Sequence, residues 1–142
     1  MRLEYRRLSE GAQAPVRKHE GDAGLDLYAS EAAHLDPGAR ASVGTGIAVA
    51  IPEGHAGFVL PRSGLALRHG VTVVNAPGLI DCAYRGEVKV VLLNTDPTAS
   101  YTVHRGDRIA QLVVQRVEHV VWQQVERLAG DDRGGGFGHS GR

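Results

Sequence analysis

Three segments of this sequence carry side chains whose types and spacing could do chemistry. Asp81 stands in Gly78-Leu79-Ile80-Asp81-Cys82-Ala83-Tyr84-Arg85-Gly86-Glu87, between two apolar runs. A turn there would lift its carboxylate to the mouth of a cleft, where it could act as a general base on a water molecule. Taken alone, the segment is more simply read as a turn Asp bonding its own backbone. Arg62-Ser63-Gly64 puts a guanidinium, a hydroxyl and unpaired backbone N–H groups at the start of a short helix, which suits an anion. Ser63 is equally readable there as a plain N-cap. The end of the chain, Arg133-Gly134-Gly135-Gly136-Phe137-Gly138-His139-Ser140-Gly141-Arg142, offers unhindered N–H groups, two guanidiniums, a hydroxyl and one aromatic face. That set suits a polyphosphate joined to a base, with a flexible end of no function as the other reading.

Several familiar chemistries are excluded. Gly136, Gly138 and Gly141 match G-x-G-x-x-G, but no strand precedes and no helix can follow, so the dinucleotide fingerprint is not met. Neither Lys18 nor Lys89 lies in a Gly-Lys-Ser/Thr context, which removes the P-loop. None of the seven histidines forms H-E-x-x-H, leaving a zinc hydrolase unsupported. Asp26, in Ala23-Gly24-Leu25-Asp26-Leu27, and Gln111, in Arg108-Ile109-Ala110-Gln111-Leu112, are polar residues inside apolar stretches. Each faces either a site or water, and strand alternation by itself favours water.

Charge narrows the partner. Lys plus Arg is 16 and Asp plus Glu is 16, so no net field draws in nucleic acid or an anionic membrane. A small-molecule partner is expected instead. Cys82 is the single cysteine, which rules out an internal disulfide and fits a reducing compartment. With no apolar signal core at the start and no apolar run near the roughly 18 residues that span a bilayer, a soluble, cytoplasmic protein is expected.

The elements that must position these residues are strands. Glycine, at 19 of 142 residues, and proline recur every few positions between short β-branched runs, the punctuation of an all-β domain. Strands are expected over residues 41–51, 57–60, 71–74, 88–93 and 109–125. The last run also fits a helical stripe, and its valine content favours strand. One short helix is expected over residues 63–69, where Leu65, Ala66, Leu67 and Arg68 stand between two glycines. Aromatic residues make up only 5%, so the core should be aliphatic. Beyond Leu128 only Phe137 is a large apolar side chain, too little to offset the entropy of ordering that stretch. The expected organisation is a β domain over residues 1–128 and a mobile glycine-rich arm over residues 129–142.

In order along the chain, residues 23–29, 61–66, 75–87, 108–113 and 133–141 resemble the five motifs of the trimeric dUTPase family. The resemblance implies a jelly-roll-like antiparallel β-structure with one short helix. It implies a homotrimer with its sites at subunit interfaces, each closed by a C-terminal arm. The implied activity is Mg²⁺-dependent hydrolysis of dUTP to dUMP and pyrophosphate, which keeps uracil out of DNA and supplies dUMP for dTMP synthesis. By the same resemblance Asp81 is the base, and Arg62, Ser63, Gly64, Gln111 and Arg133 hold the triphosphate with Mg²⁺. Asp26 meets the metal through coordinated water. Asn75 and the backbone of Leu79, Ile80 and Asp81 read the uracil edge, Tyr84 packs on the deoxyribose, Lys89 lines the nucleotide pocket, and Phe137 stacks over the base. Ser140 keeps one hydroxyl of the usual pair in the fifth motif, whereas His139 departs from the pattern. A protonated His139 would meet a phosphate, adding pH dependence near its ordinary pKa of about 6.5. Three rival readings are a dCTP deaminase-like enzyme, a non-catalytic dUTP-sensing protein and a β-sandwich interaction domain.

Overall fold

A computed structural model describes residues 1–131. Its elements are β1 (Glu4–Arg7), β2 (Leu25–Tyr28), β3 (Ala33–Leu35), β4 (Arg40–Gly44), β5 (Ile47–Ala50), β6 (His55–Leu60), α1 (Ser63–His69), β7 (Val71–Val73), β8 (Gly78–Ile80), β9 (Lys89–Asn94), β10 (Tyr101–Val103) and β11 (Arg108–Arg116). Four sheets result, in the orders β2-β11-β6-β8, β4-β9-β7, β1-β5 and β10-β3. Every pairing is antiparallel, and most join strands far apart in sequence. This is the jelly-roll-like all-β architecture with one short helix that the sequence led us to expect.

The core is aliphatic, as the composition implied. Leu27, Leu35, Val43, Ile47, Val90, Leu92, Ile109 and Leu112 are among its fully buried side chains. β9 shows the reason these residues make strands: buried Val90, Leu92 and Asn94 alternate with more exposed neighbours, the period of two that pleating imposes. Asn94 is tolerated inside because its Nδ2 donates to Leu35 O and Ala99 O, so no buried amide goes unpaired. α1 spans residues 63–69 as expected and stops where Gly70 adopts φ 63, its N–H donating back to Ala66 O and Leu65 O. A left-handed residue at that position is the ordinary end of a helix. The start of α1 departs from the N-cap reading of Ser63: Arg62 occupies the cap position and no side chain caps the helix.

Two strand expectations are corrected. The run over residues 41–51 is two strands, because Gly46 takes φ 69 and turns the chain there. An added Cβ at Gly46 would sit 2.5 Å from Ser9 Oγ and 2.8 Å from Ala12 Cβ, so only glycine fits. The run over residues 109–125 ends as a strand at Arg116. Beyond it Val120, Val121 and Trp122 are exposed, and no described strand of the same chain pairs with them. β-branched residues fit a strand only where a neighbour supplies the ladder and the buried face. No helix among the described residues is long and apolar enough to cross a membrane.

Candidate active site

Strand register brings three of the sequence-predicted segments together. β11 is the centre: on one side Gln111 opposes Asp26 of β2, and on the other it opposes Leu60, the last residue of β6. Residues 61–64, which follow β6 into α1, therefore arrive beside Asp26 and Gln111. They line a cleft of about 350 Å³ whose walls include Lys18, Asp26, Arg62, Ser63, Gly64 and Gln111, with Arg108 and Asp22 completing its charge. Three cations face two carboxylates, so the cleft is weakly cationic and suited to an anion.

Within it, Asp26 is ion-paired twice. Its Oδ1 lies 3.4 Å from Arg62 Nε and its Oδ2 accepts from Arg108 Nη1 at 3.0 Å. Arg62 Nη1 donates to Arg108 O at 2.9 Å, and Gln111 Nε2 donates to Pro61 O at 3.0 Å. The two arginines and Asp26 are partly buried, with side-chain exposures of 23%, 34% and 15%. Partial burial weakens solvent screening and gives such pairs geometric definition.

Gly24 keeps room for Gln111. A Cβ on Gly24 would stand 2.4 Å from Gln111 Oε1, a clash that the flexible amide relieves by swinging away. If Gln111 donates to an anionic substrate in this cleft, Gly24→Ala is expected to raise the KM for it about tenfold, the scale of one hydrogen bond to a charged group. The melting temperature should barely move. Steady-state kinetics beside a thermal melt checks both halves of this prediction.

A second cleft, of about 300 Å³, collects Leu79, Ile80, Asp81, Tyr84, Glu87 and Lys89. Among the described strands β8 pairs with β6 alone and forms the edge of its sheet, so its backbone groups that point away from β6 have no strand partner there. The loop after β8 is tied closed by its own groups. Tyr84 N donates to Asp81 O at 3.0 Å, Tyr84 Oη donates to Glu87 O at 2.8 Å, and Arg85 Nη1 donates to Cys82 O and Tyr84 O. A Cβ on Gly86 would lie 2.5 Å from the Tyr84 hydroxyl, so glycine there lets the ring lie down on the loop. Glu87 accepts from Gly46 N at 2.9 Å and holds Lys89 Nζ at 3.6 Å.

The Asp81 carboxylate is exposed and makes no hydrogen bond or ion pair among the described residues. The turn-Asp reading, in which it bonds its own backbone, is not what the loop does. Asn75 lies in the turn before β8, exposed, with its Nδ2 3.5 Å from where a Cβ on Gly78 would be. It stands next to the second cleft rather than among the residues lining it.

The two clefts of one chain are apart. Ile80 pairs with Gly57, so in an antiparallel ladder Asp81 is level with Ala56, and Arg62 lies six residues further along. At about 3.3 Å per residue that is roughly 20 Å, and the two linings share no residue.

The dUTPase family model matches residues 10–141. The chain belongs to the dUTPase family. It is 56% identical to the deoxyuridine 5'-triphosphate nucleotidohydrolase of Thermobifida fusca over 142 residues, covering 99% of this chain and 79% of that protein. It is 57% identical to the protein of the same name from Mycobacterium tuberculosis over 141 residues, covering 95% and 92%. Among solved structures, the Staphylococcus bacteriophage 80alpha dUTPase with dUPNHPP superposes with a TM-score of 0.92 at 29% identity, over 99% of this chain and 98% of that one. A mutant dUTPase of phage phi11 of S. aureus, described for its coordination of a structural Mg(II) ion, matches with a TM-score of 0.84 at 29% identity, over 89% and 98%.

Of the residues that the dUTPase resemblance pointed to, Asp26, Arg62, Ser63, Gly64 and Gln111 share the first cleft, and Leu79, Ile80, Asp81, Tyr84 and Lys89 share the second. Arg133, Phe137, Ser140 and His139 lie outside the described residues. Lys18, Glu87 and Arg108 line the clefts as well, without having stood out as site residues in the sequence. Lys18 had only its charge to offer as a signal, and the other two depend on long-range pairing. No group of three or more His, Cys, Asp or Glu that could hold a metal occurs among the described residues. The carboxylates of the first cleft are Asp22 and Asp26, too few to cage an ion, so an Mg²⁺ there would take most of its ligands from substrate phosphates and its own water.

Proposed function

We propose that this chain hydrolyses dUTP to dUMP and pyrophosphate as a homotrimer, each site joining the Asp81 cleft of one copy to the Arg62 cleft of another. The observation that carries this reading is the separation of the two clefts. A triphosphate whose α-phosphorus meets Asp81 cannot also reach Arg62 of the same chain, whereas a second copy brings the cationic cleft to it. Closed rotational symmetry is the ordinary way in which such head-to-tail contacts end.

In this site Asp81 takes a proton from a water whose oxygen attacks the α-phosphorus. The new P–O bond forms as the bond to the α,β-bridging oxygen breaks, and pyrophosphate departs in line. The Asp81 carboxylate, exposed and without a partner among the described residues, supports that role. Arg62, Ser63, Gly64 and Gln111 bind and orient the triphosphate, and most of the rate comes from this positioning and charge neutralisation. Mg²⁺, held through its waters by Asp26, would neutralise triphosphate charge.

The open edge of β8 at Leu79, Ile80 and Asp81, together with Asn75, reads the uracil edge. Tyr84, pinned by its hydroxyl to Glu87 O, packs against the deoxyribose and excludes a 2′-hydroxyl. Lys89 closes the side of the pocket. Residues 129–142 act as the arm: Phe137 stacks on the base, and Arg133 and Ser140 meet phosphates. Base stacking of this kind contributes about 1–3 kcal/mol. The protein acts in the cytoplasm, keeping uracil out of DNA and supplying dUMP.

Incubation with Mg²⁺ and, separately, dUTP, dCTP, dTTP and UTP tests the whole reading. dUMP and pyrophosphate are expected from dUTP alone. Deamination of dCTP, or dUTP binding without pyrophosphate release, would overturn it.

A further inference from the structure

Arg108 has a place in this cleft that strand periodicity denies it. In an uninterrupted strand, residues 108 and 111 face opposite sides, because side chains alternate. β11 is interrupted: Arg108 pairs with Tyr28 and Ala110 with Leu27, which leaves Ile109 as the extra residue of a β-bulge. Ile109 and Ala110 are consequently both buried in succession, and Arg108 returns to the face that Asp26 and Gln111 share. Bulges that re-aim a side chain are over-represented beside active sites.

Once there, Arg108 closes a three-membered ring of contacts. Its guanidinium donates to Asp26 Oδ2, Asp26 Oδ1 meets Arg62 Nε, and Arg62 Nη1 donates back to Arg108 O. Arg62 is thus held on two of its nitrogens by groups that Arg108 supplies or steadies. Its Nη2 has no partner among the described residues and stays available to a ligand.

We infer that Arg108 is a positioning residue for the triphosphate half of the site: through Asp26 and its own carbonyl it fixes the Arg62 guanidinium in a binding orientation. This rests on the reading that Arg62 meets the phosphates of dUTP. A planar guanidinium held at two points loses less freedom on meeting a phosphate than one that is free to rotate. Asp26 then has a function besides any contact with metal-bound water. It is the link between the two arginines.

The test is calorimetric titration of wild type, Arg108→Gln, Arg108→Lys, Asp26→Asn and the Asp26→Asn/Arg108→Gln double variant. Each is titrated with α,β-imido-dUTP in Mg²⁺ and with dUMP, beside a thermal melt. Arg108→Gln should weaken the triphosphate analogue about 10- to 100-fold, the scale of a charge-assisted hydrogen bond. dUMP affinity should stay within about twofold. Arg108→Lys keeps the pair with Asp26 and should recover part of the loss, and it serves equally if the Gln variant does not fold. The double variant should bind no more weakly than the worse single one, because both changes break the same ring.

Unchanged affinity for the analogue, an equal loss for dUMP, or fully additive losses would each overturn the inference. A wild-type protein that binds neither ligand would instead overturn the dUTP reading beneath it.

Discussion

Asp81→Asn should lower kcat on dUTP by about 10³-fold while the KM stays within about threefold, because a general base supplies roughly 10²–10⁴ of rate and little ground-state binding. The substitution is close to isosteric, and the carboxylate it replaces is exposed and unpaired among the described residues. No ion pair or buried hydrogen bond is broken by the exchange, and the melting temperature should not move. The loop geometry is held by Tyr84 N to Asp81 O, Tyr84 Oη to Glu87 O and the Arg85 contacts. None of those uses the Asp81 side chain. Single-turnover kinetics with dUTP separates the chemical step from binding. A variant that retains more than a tenth of wild-type kcat would show that some other group takes the proton.

The second large effect is a recovery. Arg62→Gln removes the guanidinium from the cationic cleft and should itself cost about 10²- to 10³-fold in kcat/KM, the scale of losing one stabilising donor. Asp81→Asn and Arg62→Gln chains, unfolded together and refolded as a mixture, should nonetheless regain about one quarter of wild-type activity. In the proposed trimer each site takes Asp81 from one copy and Arg62 from another, and random assembly supplies each intact residue with probability one half. The prediction follows from the roughly 20 Å that strand register places between the two clefts of a single chain. If Asp81 and Arg62 of one chain served the same site, no mixture of the two variants would exceed the sum of its parts. Activity of the refolded mixture at equal subunit ratio, compared with each variant alone, decides between the two arrangements.

Much of the fold was legible because it follows from local chemistry. Helix formers between two glycines predict α1, and the left-handed Gly70 ends it. The β-branched runs after residues 56, 70 and 87 are β6, β7 and β9, each alternating as a half-buried strand must. The three-residue strands β3, β8 and β10, unlike valine-rich β7, were not legible. Their propensity signal is too short to rise above a loop, and they exist only because a distant strand pairs with them.

The candidate site divides along the same line. The sequence alone determined the chemical inventory and its order: the carboxylate of Asp81 beside Tyr84, the Arg62-Ser63-Gly64 run, the glycine-rich end, and a resemblance carried by five ordered motifs. Residue type and near-neighbour spacing are sufficient for that. Which of these groups share a cleft follows from long-range pairing. Gln111 meets Asp26 and Leu60 because β11 lies between β2 and β6. Arg108 joins them because a bulge at Ile109 shifts the pleat by one residue, an offset with no local sequence signature. β11 stops at Arg116 although valines continue past it, since the described part of this chain has no strand left to pair with them. Asp81, which follows the strand paired with β6, and Arg62, just past the end of β6, end up apart because strand length converts six residues into a distance that no single triphosphate spans. Register and pairing are long-range properties, fixed by which apolar faces bury against each other, and a sequence read segment by segment does not contain them.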